Sequence, residues 1–171
     1  YMEKLNQLHE RRGSIVGVPT GFTDLDRLTG GLQRSDLIIL AARPAVGKTS
    51  FALSLAHNSA LKYQQSVAVF SLEMSKEQLV QRLLSMEAGI DQQRLRTGWI
   101  EDDEWDRIVE SMGNLSKGNI WIDDTAGIST SEMRSKARRL QAEHGVDLIV
   151  VDYLQLMQST VGGKRNENRV Q

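Results

Sequence analysis

Four short apolar runs, at residues 36–41, 66–72, 119–123 and 146–152, alternate with stretches that carry helical periodicity. That alternation restricts the chain more than any other feature, because strands separated by helices have room to pair in parallel, with the helices covering the faces of the sheet. The predicted class is therefore α/β, a mainly parallel sheet flanked by helices. The first run, Asp36 to Ala41, leads through a loop to a helical stripe of Phe51, Ala52, Leu55, Ala56 and Ala60. The second, Ser66 to Leu72, is followed by Ser75 and, three residues on, Gln78. That spacing is a capping-box start for a helix whose Leu79, Val80, Leu83 and Leu84 are expected to face the core and whose stop is Gly89. Trp105, Ile108, Val109 and Met112 fall at i, i+3, i+4 and i+7 and mark another helix. The third run, Asn119 to Asp123, is shorter than the others. Ser129 and Glu132 repeat the capping-box spacing, Met133, Ala137 and Leu140 line one helical face, and Gly145 closes that helix. The fourth run, Val146 to Asp152, reads as a strand buried on both faces except at its ends.

The flanks are simpler. Residues 13–35 hold five of the 14 glycines and read as turns around one helical patch, Thr23 to Leu28. In residues 1–12, Tyr1, Leu5 and Leu8 suit a short helix with one apolar stripe, too short to be stable alone, which either frays or docks on another surface. Residues 162–169 are polar and glycine-containing and read as a mobile loop. At 171 residues, with 40% hydrophobic and 25% charged side chains, the chain has globular proportions and is expected to be one domain. No apolar run approaches the ~18 residues of a membrane span. No charged start precedes an apolar stretch, and the absence of cysteine excludes disulfides and thiolate metal sites, so a cytoplasmic setting is expected. With 21 Lys and Arg against 22 Asp and Glu, any nucleic-acid contact must come from a local patch.

The chemistry is predicted at the ends of the strands. Ala42, Arg43, Pro44, Ala45, Val46, Gly47, Lys48 and Thr49 fit the spacing of a P-loop, followed by Ser50 at the start of a helix. In such a loop, backbone N–H groups and a helix N-terminus wrap a phosphate and offset its charge. Lys48 should reach the β- and γ-phosphates of ATP, and the Thr49 hydroxyl should ligate Mg²⁺. Ala42 stands where the general pattern has Gly. A match this loose should still arise by chance in roughly one chain of this length in a hundred, and here a strand precedes it and a helix follows. Such a loop needs a carboxylate on the metal side at a neighbouring strand tip, and Asp152 fits. Glu73 follows the second strand at the same sheet edge, where it can orient or deprotonate a water, although a surface Glu near a helix start would look the same. Asp123, Asp124 and Thr125 end a strand there too and suit a turn or cap. His9, His57 and His144 share no ligand spacing.

Taken in order, PTGFTDLDRLTGG (19–31), DLIILAARPAVGKTSFAL (36–53), FSLEMS (70–75), IDDT (122–125) and VVDYLQLM (150–157) resemble the successive motifs of DnaB-type replicative DNA helicases. Ala42 is no departure from that family. The resemblance implies a RecA-like P-loop NTPase fold and a homo-hexameric ring that hydrolyses nucleoside triphosphate while moving on single-stranded DNA. It implies that Lys48 and Thr49 take phosphate and Mg²⁺, that Glu73 activates water, and that Asp152 is the metal-side acid. Residues 1–12 then resemble a linker helix that packs on the next subunit, and residues 13–171 a RecA-like ATPase domain that ends early at its C-terminal side. Lys164, Arg165 and Arg169 occupy the place of a DNA-facing loop, although a solvated tail has the same composition. Primase and a helicase loader are further partners in that family. A strand with a polar sensor, and basic residues that reach a neighbour's site, come after Gln171 in such proteins, so hydrolysis by this chain alone is expected to be weak. Two other classes share the P-loop and Asp152: a related RecA-like ATPase, in which the FSLEMS and DYLQLM wording should be missing, and a nucleotide-binding assembly module without turnover.

Overall fold

A computed structural model describes residues 15–157, apart from the side chain of Gln155. The expected helix at 1–12 and the basic loop with Lys164, Arg165 and Arg169 lie outside the described residues. Seven-residue helix α1 (Thr23–Thr29) sits within the glycine-rich opening. Helix α2 (Lys48–His57) follows the P-loop and continues as a π-helical turn, Asn58–Lys62. Then come strand β1 (Val67–Ser71), helices α3 (Lys76–Ala88), α4 (Gln92–Thr97) and α5 (Asp102–Lys117), strand β2 (Ile120–Asp123), helix α6 (Thr130–His144) and strand β3 (Leu148–Asp152). The strands form one parallel sheet in the order β2-β1-β3.

β1 is central, and all five of its residues are buried. Successive strand side chains point to opposite faces, and β1 divides the core accordingly. Val67 and Val69 pack with Leu53, Ala56 and Ala60 of the α2 side and Leu79 of α3, whereas Ala68 and Phe70 pack with Ile128 and with Met133, Ala137 and Leu140 on α6. A third cluster, Ala88, Ile90 and Ile108, joins α3 to α5. The cap chemistry is as the spacing predicts at α3: the Ser75 hydroxyl accepts the N–H of Gln78, the Gln78 side chain accepts that of Ser75, and Gly89 ends the helix with φ 65°. At α6 only half the box forms. Ser129 accepts the Glu132 N–H, while Glu132 turns toward Lys136 at 3.8 Å.

Three expectations need correction, and the helix marked by Trp105 to Met112 forms with a different face buried. Residues 36–41 form no strand, and Leu37, Ile38, Ile39 and Leu40 are 84, 53, 75 and 43% exposed. An apolar run becomes a strand only when a neighbour supplies donors and acceptors for its backbone, and among the described residues the run 36–41 pairs with no strand, which leaves the outer edge of β3 open. For the same reason β3 is not buried throughout, and Ile149 is half exposed. Val80 is exposed because α3 buries Leu79 and Leu83 on one side and turns Leu84 and Ala88 toward α5 on the other. On α5 the buried positions are Glu104, Ile108 and Ser111, one residue out of step with Trp105, Val109 and Met112, which stay exposed. Arg94 makes the shift possible, donating two bonds of 2.7 and 2.8 Å to the Glu104 carboxylate and so satisfying its buried charge.

The opening segment is tied to the body by a buried carboxylate. Asp26 accepts from the Thr20 N–H (2.9 Å), the Thr20 hydroxyl (2.7 Å) and the Gly21 N–H (3.1 Å). The same stretch meets α2 and its π-helical turn: Ser59 Oγ donates to the Pro19 carbonyl, Asn58 Nδ2 donates to that of Thr20, and Phe22 stacks on Phe51 at 5.0 Å. Gly17 allows the antiparallel bridge between Val18 and Leu32, since a Cβ there would lie 2.4 Å from the Leu32 carbonyl oxygen.

Candidate nucleotide site

The loop at 42–47 is exposed, and it turns into α2 through Ala45 (φ 63°) and Gly47 (φ 99°). A left-handed conformation is ordinary for glycine and uncommon for alanine. Gly47 caps α2, so the free N–H groups of the first helical turn and the positive end of the helix dipole face the loop, an arrangement suited to an anion. Lys48 and Thr49 begin the helix and both turn to Asp152. The Thr49 hydroxyl donates to Asp152 Oδ2 at 2.5 Å, Lys48 Nζ lies 3.2 Å from Oδ1, and the same ammonium sits 4.2 Å from the centre of the Tyr153 ring. Asp152 is 8% exposed, so its charge is stabilised by these two partners rather than by water.

The register of the sheet brings the second strand to the same place. Ser71, the last residue of β1, is paired with Asp152, the last of β3. The next residue, Leu72, donates its N–H to the Asp152 carbonyl at 2.7 Å, and Glu73 follows with its side chain exposed. Glu73 thus stands on the turn at the edge that carries Asp152, Lys48 and Thr49. Asp123 and Asp124 take turn and cap roles: Asp123 Oδ1 accepts the Thr125 N–H, and Asp124 Oδ2 accepts the N–H of Lys76 at the head of α3. Burial pushes the Asp123 carboxyl up, but the Lys136 ammonium at 2.7 Å and the hydrogen bonds from Thr125 outweigh it and hold the group below its ordinary value.

The histidines lie elsewhere. His57 Nε2 is 2.7 Å from Glu87, which also accepts from Asn114, and His144 stacks on Trp121. Among the described residues no group of three or more His, Cys, Asp or Glu could hold a metal ion, and no helix is long and apolar enough to cross a membrane. Sequence reasoning did not single out the contact of Tyr153 with Lys48, the buried Asp26, or the hydroxyl of Ser71. Only the last left a signal, a polar residue at the end of an apolar strand just before the turn.

The DnaB-like helicase C terminal domain family model matches residues 17–171. The chain is 54% identical over 169 residues to the replicative DNA helicase DnaC of Bacillus subtilis, and 53% identical over 169 residues to the replicative DNA helicase DnaB of Geobacillus stearothermophilus. In both cases the match covers 99% of this chain and 37% of the relative, so the chain spans little more than a third of those proteins. A solved DnaB-like replicative helicase, described with its interactions with primase, superposes with a TM-score of 0.86 at 34% identity, over 98% of this chain and 40% of that one. Its likeness, together with the parallel sheet and its flanking helices, establishes the RecA-like ATPase fold. The chain belongs to the DnaB-like helicase C-terminal domain family.

Proposed function

We propose that this chain is the motor of a replicative DNA helicase, which binds ATP at residues 42–50, hydrolyses it, and uses the cycle to move on single-stranded DNA and unwind duplex DNA. The observation that carries the reading is the pairing of Ser71 with Asp152, which gathers the P-loop, Asp152 and Glu73 at one sheet edge. Lys48, already facing a carboxylate, is placed to exchange that partner for the β- and γ-phosphate oxygens, a charge-assisted contact that positions the nucleotide. Thr49 and Asp152 offer an oxygen-only donor pair 2.5 Å apart, the donor chemistry that suits Mg²⁺. Bound there, Mg²⁺ supplies positive charge to the phosphate oxygens. Glu73, exposed and free to approach a water, takes its proton as the water oxygen bonds to the γ-phosphorus and the bond from that phosphorus to the β–γ bridging oxygen breaks, so that ADP and phosphate leave.

The assembly is read from α5. Trp105, Val109 and Met112 form an exposed apolar stripe, with Glu101, Asp102, Asp103 and Asp106 around its start. That face suits the stripe of Tyr1, Leu5 and Leu8, with Lys4, Arg11 and Arg12 beside it, from the next subunit of a hexameric ring. On this reading residues 1–12 are the linker helix and 13–171 the ATPase domain. Lys164, Arg165 and Arg169 contact the DNA backbone, primase and a loader act on the whole protein, and the setting is the cytoplasm. The test is Mg²⁺-dependent ATP hydrolysis over a range of protein concentration, with and without single-stranded DNA. Turnover per subunit should rise with both. Turnover that ignores both would overturn the motor reading.

A further inference from the structure

The role given to Glu73 demands that its carboxylate stand within hydrogen-bond reach of a water, and an error of about 1 Å in such a placement can lower a rate by ~10²-fold. Yet Glu73 is exposed, on a short turn between β1 and α3. Three anchors define that turn. The Leu72 N–H is held by the Asp152 carbonyl. Ser71, 2% exposed, closes the turn with its hydroxyl, which donates to the Met74 carbonyl at 2.7 Å and accepts the Met74 N–H at 3.2 Å. Asp124, on the loop after β2, accepts the Lys76 N–H at 2.9 Å. Glu73 is therefore bracketed on both sides, by β3 before it and by Ser71 and the β2 loop after it.

The third anchor is not needed by the helix. α3 already has a complete capping box in Ser75 and Gln78, and an N–H at an exposed first turn is satisfied by water at little cost. What Asp124 adds is location, because its own loop is fixed. The Lys136 ammonium donates to Asp123 Oδ2 and to Thr125 Oγ1, each at 2.7 Å, and Asp123 accepts the Thr125 N–H. A rigid path thus runs from α6 through the β2 loop to the residue that follows the Glu73 turn.

We propose that Ser71 and Asp124 are positioning residues for hydrolysis, setting where the Glu73 carboxylate stands relative to the nucleotide. The inference rests on the reading of Glu73 as the group that activates water. In the full-length protein, Asp124→Ala should lower kcat for ATP by ~10-fold while KM and nucleotide affinity stay within ~2-fold, since the loss is one of aim and not of binding. Asp124→Asn, which keeps an acceptor oxygen, should restore most of kcat. Ser71→Ala should resemble Asp124→Ala; should it fail to fold, the Asp124 pair decides. Glu73→Gln is measured alongside. If it is inactive while Asp124→Ala turns over normally, positioning by Asp124 is wrong and the role of Glu73 stands. Turnover by Glu73→Gln would sink the reading of Glu73 itself. A kcat loss in Asp124→Ala that Asn does not restore, or that comes with an equal loss of nucleotide affinity, also overturns the inference.

Discussion

Replacing Asp26 by Ala should be among the most damaging single changes outside the apolar core. The carboxylate is 4% exposed and accepts three hydrogen bonds, two of them wholly buried. Truncation leaves the Thr20 N–H and hydroxyl and the Gly21 N–H without an acceptor. A buried group so orphaned costs about 1–3 kcal/mol, and some of the loss is recovered where water reaches Gly21, so the total should be about 3–5 kcal/mol. Asp26→Asn should lose about 2 kcal/mol, because one amide oxygen still accepts while the NH₂ group now faces a donor. Urea unfolding, followed by circular dichroism and by fluorescence of the three tryptophans, gives the difference as a shift in midpoint at constant slope. Nucleotide affinity of the folded variant should hold, since the Asp26 carboxylate bonds to Thr20 and Gly21 and not to the 42–50 loop. A loss below about 1 kcal/mol would refute the argument that these donors depend on Asp26.

Lys48→Ala should weaken nucleotide binding by ~100-fold or more, the loss of about 3 kcal/mol in charge-assisted contacts; fluorescence anisotropy with a labelled nucleotide reads it, and affinity within ~3-fold of the parent would count against the P-loop assignment. Glu73→Gln should keep that affinity and lose ~10²–10⁴-fold in single-turnover hydrolysis by the full-length protein. Because Asp123 is held below its ordinary value of 3.8, its ionised form contributes stability that is complete above about that pH and is lost as the pH falls through the lowered value. Lys136→Met removes the chief opponent of burial, so acid unfolding should begin at higher pH; identical acid limbs in parent and variant would show that the pair contributes nothing to it.

Much of this fold was legible because it is written locally. The capping pair Ser75 and Gln78, the stops at Gly89 and Gly145, and the alternation of strands and helices depend on neighbours a few residues away. The gathering of the P-loop, Asp152 and Glu73 was legible for a related reason, since parallel strands must place their C-terminal ends at one edge. What failed depends on partners distant in sequence. Residues 36–41 have the composition of a strand, yet among the described residues they pair with none and leave the outer edge of β3 open. Helix α4 is too short to show a period. On α5 the pattern identified the helix but not its buried face, because Arg94 lets Glu104 go inward and leaves Trp105 outside. Nor does any local rule reveal that Asp26 is buried or that Ser71 closes the turn around Glu73.

The pairing of Ser71 with Asp152 ties chemistry to strand alignment. A slip of one residue between β1 and β3 would turn every side chain of the displaced strand to the opposite face. Asp152 would leave Lys48 and Thr49, and the turn that carries Glu73 would lose the carbonyl on which it hangs. On the proposed function, a misaligned copy is then silent rather than slow. Folding errors should therefore reduce the number of working copies while the remainder run at full speed, so that a preparation of low specific activity keeps an undiminished KM and an undiminished rate per competent site.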